Sequence, residues 1–202
     1  DPETEADKTR SKMRDDAEII DGEFRFTHLW VQPLDGGEAR RLTDGEFTVS
    51  DPQFSPDSAR VAFVTRPNTK IDDSWNSDVQ VVDLMTGERR VLIENPGPDA
   101  SPRWSPDGST IAISANPHVS TTTWFNKLYL VPVDGGEPEI LLQEFDRNFG
   151  APIWAPGGAD IYWSTGDRTR TNLYAVQLAT DETRDYDAPA GANSQFELSA
   201  DG

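Results

Sequence analysis

The chain has no cysteine, two histidines, two methionines and four lysines in 202 residues. The lack of cysteine excludes disulfides, thiolate catalysis and cysteine-ligated metal, and leaves the redox compartment open. With only His28 and His118, no histidine cluster is available to bind metal, and a serine triad would have two residues to choose from. The strained Gly-x-Ser-x-Gly elbow that presents a catalytic serine is absent. No apolar run is long enough to cross a membrane as a helix. Positive charge is scarce: 18 basic residues, of which only Lys8, Lys12, Lys70 and Lys127 are lysine, face 36 acidic ones for a net charge of −18. Phosphate backbones and anionic lipid repel such a surface, which argues against nucleic-acid and membrane partners. Salt adaptation and ordinary solubility both account for it.

What the chain has is turns, and one phrase repeated. Fifteen glycines and fifteen prolines are spread along its length, the mark of many short elements rather than a few long helices. The phrase occurs as Phe54-Ser-Pro-Asp57, Trp104-Ser-Pro-Asp107, Trp154-Ala-Pro-Gly157 and Leu198-Ser-Ala-Asp201, at spacings of 50, 50 and 44 residues. A period in this range marks a repeat architecture whose units bury their faces against one another. In residues 101–142 a short extended segment ends at Trp104-Ser105, and Pro106-Asp107-Gly108 supplies turn residues. Thr110–Ser114, Lys127–Val133 and Pro138–Leu142 then read as strands, the last two joined by an Asp134-Gly-Gly136 hairpin.

The same four-strand grammar recurs over 51–93 and 151–186, preceded by a strand pair at His28–Val31 and Ala39–Leu42 and followed by one strand at Gln195–Ser199. The expectation is an all-β chain: a partial β-propeller of four-stranded antiparallel blades, about three complete with parts of two more. Residues 1–23 read as a charged tail or linker and 24–202 as the propeller, incomplete at both ends: it opens on a strand pair alone, and the last phrase is followed only by Gly202. A chain cut in this way would leave blade edges exposed.

The segments His28-Leu-Trp-Val31, Gly36 to Thr43, Pro52 to Asp57, Trp75-Asn-Ser-Asp78 through Asp83, and Gly150-Ala-Pro-Ile-Trp154 resemble the propeller of prolyl oligopeptidase-family serine peptidases, in particular the acylaminoacyl-peptidase and dipeptidyl-aminopeptidase-like branch. The resemblance implies a non-catalytic, substrate-gating propeller attached to an α/β-hydrolase domain that carries the triad and cleaves peptides. Oligomerisation is compatible with it, the cytoplasm is the expected compartment, and the periplasm is the alternative. The Ser-Pro-Asp-Gly phrase is shared with the periplasmic protein TolB, so the rival reading is a TolB-like protein-interaction module without enzyme activity.

Within this chain no catalytic, cofactor or metal residue is expected. The acidic run Asp181-Glu182 and Asp185-Tyr-Asp187 lacks the spacing of a calcium loop. His28 reads as a surface or packing residue, and the aspartates of the repeated phrase as turn residues. In a blade, the long connections between second and third strands, here 66–77, 116–126 and 165–171, share one face with the blade-to-blade connections, and binding concentrates on such loops. The candidate substrate- or domain-facing residues are therefore Trp75, Asp73, Trp124, His118, Arg147 and Arg168. The aromatics among them could equally fill gaps between blades.

Overall fold

The computed structural model describes residues 26–67, 75–118, 125–167 and 170–186, together with Glu5, Lys8, Phe196, Leu198 and Ser199. The described residues from 26 onward hold fourteen strands and no helix. A two-stranded sheet, β1 (Trp30–Val31) and β2 (Arg40–Arg41), comes first. The first complete blade is β3 (Thr48–Phe54), β4 (Arg60–Arg66), β5 (Asp78–Asp83) and β6 (Arg89–Val91). The second is β7 (Asp99–Trp104), β8 (Thr110–Ala115), β9 (Lys127–Pro132) and β10 (Glu139–Leu141). The third is β11 (Ile153–Trp154), β12 (Asp160–Asp167), β13 (Arg170–Gln177) and β14 (Glu182–Tyr186). Each blade is an antiparallel meander in chain order, and β7 touches both β3 and β11, so the first strands line up side by side. This is the expected all-β partial propeller.

Burial follows position in the blade. In β4, Val61, Ala62, Phe63, Val64 and Thr65 are all buried, because neighbouring blades cover both faces of a middle strand. β6 and β14 are exposed throughout, as outer edges. Three apolar clusters fill the gaps. Val61, Phe63 and Val82 pack under the β1–β2 pair. Val79, Val81, Ile111, Ile113, Tyr129 and Val131 join the first and second blades. Phe149, Ile161, Trp163, Tyr174 and Val176 join the second and third with Ala112 and Leu128.

The repeated phrase is a turn that its own side chains hold. Ser55 Oγ donates to Asp57 Oδ1 at 2.6 Å and accepts from the Arg60 amide at 2.9 Å. Ser105 repeats this with Asp107 and Thr110 at 2.6 and 3.0 Å. The aspartates also accept the amides of Ala59 and Ser109, both at 3.0 Å. The residue after the phrase is left-handed in the three described copies: Ser58 at φ 59°, Gly108 at 73° and Gly158 at 71°. The serines and aspartates are thus structural, as the sequence implied.

Two elements differ from the sequence expectation. Within 165–171, expected as a long loop, residues 165–167 and 170–171 belong to the ladder, since β12 and β13 pair from Asp160↔Gln177 to Asp167↔Arg170. Thr165 and Thr171 are β-branched and fit the pleat, so the strands extend at the loop's expense. The first strands also begin earlier than expected, at Thr48 and Asp99, because each bridges a bulge at the residue before proline: Asp51 (φ 47°) and Ser101 (φ 54°). Of the predicted strand Gln195–Ser199, Phe196, Leu198 and Ser199 are described and none belongs to a strand, while Gln195 and Glu197 lie outside the described residues.

Candidate functional site

The loop face of the second blade carries a cleft of about 480 Å³. Pro117 and His118 come from the connection after β8, Phe125 and Lys127 from the entry to β9, Ile140 from β10, and Gln143 to Asp146 from the connection toward the third blade. Both kinds of connection therefore do share one face.

Its walls are held from below. Lys127 Nζ donates to the carbonyls of Gln143 and Phe145 at 2.7 and 2.8 Å, fastening the blade-to-blade connection to the start of β9. Phe145 packs edge-on against Trp163 and Tyr174, with centroids 5.5 and 5.6 Å away, and lies 4.8 Å from Phe149. Asn116, fully buried, accepts the His118 amide at 3.0 Å through its side chain, and its own amide donates to the Pro98 carbonyl at 3.0 Å. Gly97 sits so close below that a Cβ there would lie 2.2 Å from the His118 carbonyl oxygen and 2.5 Å from that of Asn116. Only glycine allows this approach. Phe125, by contrast, is 46% exposed, an aromatic face left open to solvent at the rim.

Of the six residues singled out in the sequence, His118 lines this cleft. Arg147 does not: its Nη1 donates to the Tyr174 hydroxyl at 2.7 Å and its guanidinium lies 5.9 Å from that ring's centre, so it joins the second blade to the third. Trp75 is half exposed on the first blade's loop face, before β5, and is not part of the cleft. Asp73, Trp124 and Arg168 lie outside the described residues. His28, set aside as structural, accordingly meets Thr43 Oγ1 at 3.3 Å and Phe47 edge-on at 5.6 Å. Burial first, then Arg41, lowers its pKa.

Lys127 and Ile140 escaped the sequence reading because they sit inside predicted strands. The remaining signal was position: the first residue of a third strand faces the loops. A second depression of about 380 Å³ runs along the first strands, between Phe54, Trp104 and Trp154 and the prolines of the repeated phrase. Trp104 Nε1 donates to the Gln53 carbonyl and Trp154 Nε1 to the Arg103 carbonyl, each at 3.0 Å and each one blade back. Arg103 adds an ion pair to Asp51 at 3.0 Å. These are ties between blades. Among the described residues, no group of three or more metal-ligating side chains converges.

Known structures share this architecture. TolB from Acinetobacter baumannii superposes with a TM-score of 0.65 at 18% identity, covering 87% of this chain and 41% of that one. A putative TolB from Agrobacterium tumefaciens gives 0.60 at 20%, with 81% and 57% covered. A puromycin-hydrolyzing peptidase from Mycobacterium tuberculosis gives 0.60 at 20%, with 79% of this chain but only 26% of the peptidase covered. The chain thus spans well under two thirds of each of these proteins, and at such identities the likeness is one of fold. No match is found among curated protein sequences. The model of the TolB beta propeller domain, however, matches residues 21–202, nearly the whole length. By that match the chain belongs to the TolB beta-propeller domain family.

Proposed function

We propose that this chain is a non-catalytic propeller that recognises polypeptide, with the loop-face cleft of the second blade as its binding surface. The observation that carries the reading is the lining: the exposed ring of Phe125 and the anchored ring of Phe145 border one cleft with Ile140 and His118, while Glu144 and Asp146 stand at its edge. Lys127 commits two of its three ammonium hydrogens to loop carbonyls, which leaves less of it for an incoming anion. The cleft then suits an apolar side chain flanked by lysine or arginine, and a net charge of −18 draws such segments in by its long-range field.

The test is a fluorescence-anisotropy titration with short peptides of matched length, one carrying Arg-Phe-Arg and one Glu-Phe-Glu. The cationic peptide should bind, and Phe125→Ala should weaken it about fivefold or more, a loss of about 1 kcal/mol. Equal affinity for both peptides, or indifference to Phe125→Ala, would sink the reading.

Two finer versions share this surface. In one, the propeller gates access to an α/β-hydrolase domain of a prolyl-oligopeptidase-type peptidase; the resemblance at Trp75–Asp83 and Gly150–Trp154 and the fold shared with the mycobacterial peptidase support it. In the other it is a TolB-like interaction module, which the family match and the two TolB structures support. The parent gene beyond Gly202 separates them: more blades and then Gly-x-Ser-x-Gly favour the peptidase, and a stop after a complete ring favours the module.

A further inference from the structure

Asp99 is the first residue of β7, where the chain crosses from the first complete blade to the second, and it is completely buried. Its backbone ties both blades together. The Asp99 amide donates to the Ser77 carbonyl at 2.8 Å, Ser77 Oγ donates to the Asp99 carbonyl at 2.9 Å, and on the other side Asp99 pairs with Ala115 of β8. Its side chain is half satisfied. Oδ1 accepts from Asn95 Nδ2 at 2.9 Å, while Oδ2 is buried without a partner. A carboxylate in that position would bury a full charge against one neutral donor, which is costly. A carboxylic acid, with its proton on Oδ2, is tolerated far better.

We propose that Asp99 is a proton-operated latch at the joint between the first and second complete blades: the joint holds while this carboxyl is neutral and loosens when it ionises. The charges around it point the same way. Asp78 acts on it from β5, and Glu94 acts in turn on Asp78. Tyr129 faces it from β9, its phenol pushed upward by burial and by Asp99. β8 contributes the neutral Ala115. No cation is among the groups acting on Asp99. Burial foremost, with Asp78 adding to it, raises the Asp99 pKa from 3.8 to about 7.

The direction of the linkage follows. Between these two values the closed joint keeps a proton that the open joint has released, so raising the pH favours opening by up to about tenfold per pH unit. Above about pH 7 both states are ionised and the effect levels off. The joint also bears on the proposed cleft, because Pro98 accepts the Asn116 amide and Gly97 lies beneath His118. The latch itself stands without any function for that cleft.

The test is hydrogen exchange on the full chain, read as protection factors in the regime where closing outpaces exchange. The Asp99 and Asn116 amides report the joint, and the Val176 amide in the third blade serves as reference. Joint protection should fall roughly tenfold per unit between about pH 5 and 7, with no such slope at Val176. Asp99→Asn keeps the shape and cannot ionise; it should flatten the joint's profile and raise the melting temperature at pH 8 relative to the parent. A joint whose protection is flat from pH 5 to 7 in the unmodified chain overturns the proposal even if the variant fails to fold. An equal slope in Asp99→Asn overturns it as well.

Discussion

At the scale of single residues, the repeated Ser-Pro-Asp phrase shows how a sequence that looks catalytic can be spent on geometry. Asp107 accepts from Ser105 Oγ, the Ser109 amide and Ser109 Oγ, and these bonds, led by Ser105, hold its pKa down to about 2. A carboxylate whose pKa is depressed in the folded state contributes stability above its unfolded value. That contribution is lost as the pH falls through the folded one. Acid unfolding of the parent should therefore show a component between about pH 4 and 2 that Asp107→Asn removes, measured by circular dichroism across the pH range. Asp99 has the opposite sign, losing stability as pH rises from about 4 to 7, because its proton is retained on folding. The same turn also exposes a strain. Ser58 occupies the left-handed slot that glycine fills at 108 and 158. Since an L side chain there costs about 1 kcal/mol or more, Ser58→Gly should stabilise the chain by up to about that amount in urea unfolding, offset partly by the greater freedom of the unfolded glycine.

At the scale of elements, blades are joined by bonds that skip about 50 residues. The indoles of Trp104 and Trp154 each reach a backbone carbonyl on the preceding blade's first strand. Phe54 holds the corresponding place in the first blade with no donor to offer. Trp104→Phe keeps a ring in the slot and removes the donor, leaving the Gln53 carbonyl without it; the expected cost is about 1 kcal/mol, read from the urea midpoint. An unchanged midpoint would mean that water replaces the indole at no cost. The bulges at Asp51 and Ser101 belong to this scale too. They shift the ladder register between Ser50 and Gln53 and between Ala100 and Arg103, just before the phrase begins.

At the scale of the whole molecule, stability and the proposed binding surface draw on the same packing. Trp163 is fully buried, stacked on Tyr174 at 5.7 Å and next to Phe149 at 4.9 Å, and Phe145 meets its edge at the base of the cleft. Trp163→Ala should cost about 3–5 kcal/mol. Because Phe145 loses a wall, peptide affinity should fall together with the melting temperature. Phe125→Ala, at the exposed rim, should lower affinity with the melting temperature nearly unchanged. Paired calorimetry and anisotropy measurements separate the two, and a large thermal loss in Phe125→Ala would show that its ring is structural.

The all-β class, the four-strand unit and the roles of Ser55, Asp57, Ser105 and Asp107 were legible in the order of residues alone, since turn chemistry acts between residues a few positions apart. That order also marked His118 as a loop-face residue and left His28 out of the functional set. It took the folded chain to show that Arg147 ties two blades together, that Lys127 and Ile140 border the cleft, and that residues 165–167 and 170–171 join a ladder. It alone shows that Asp99 is buried with one oxygen unmatched. Each of these depends on what a neighbouring strand or blade brings within a few ångströms, and separation along the chain carries no record of that.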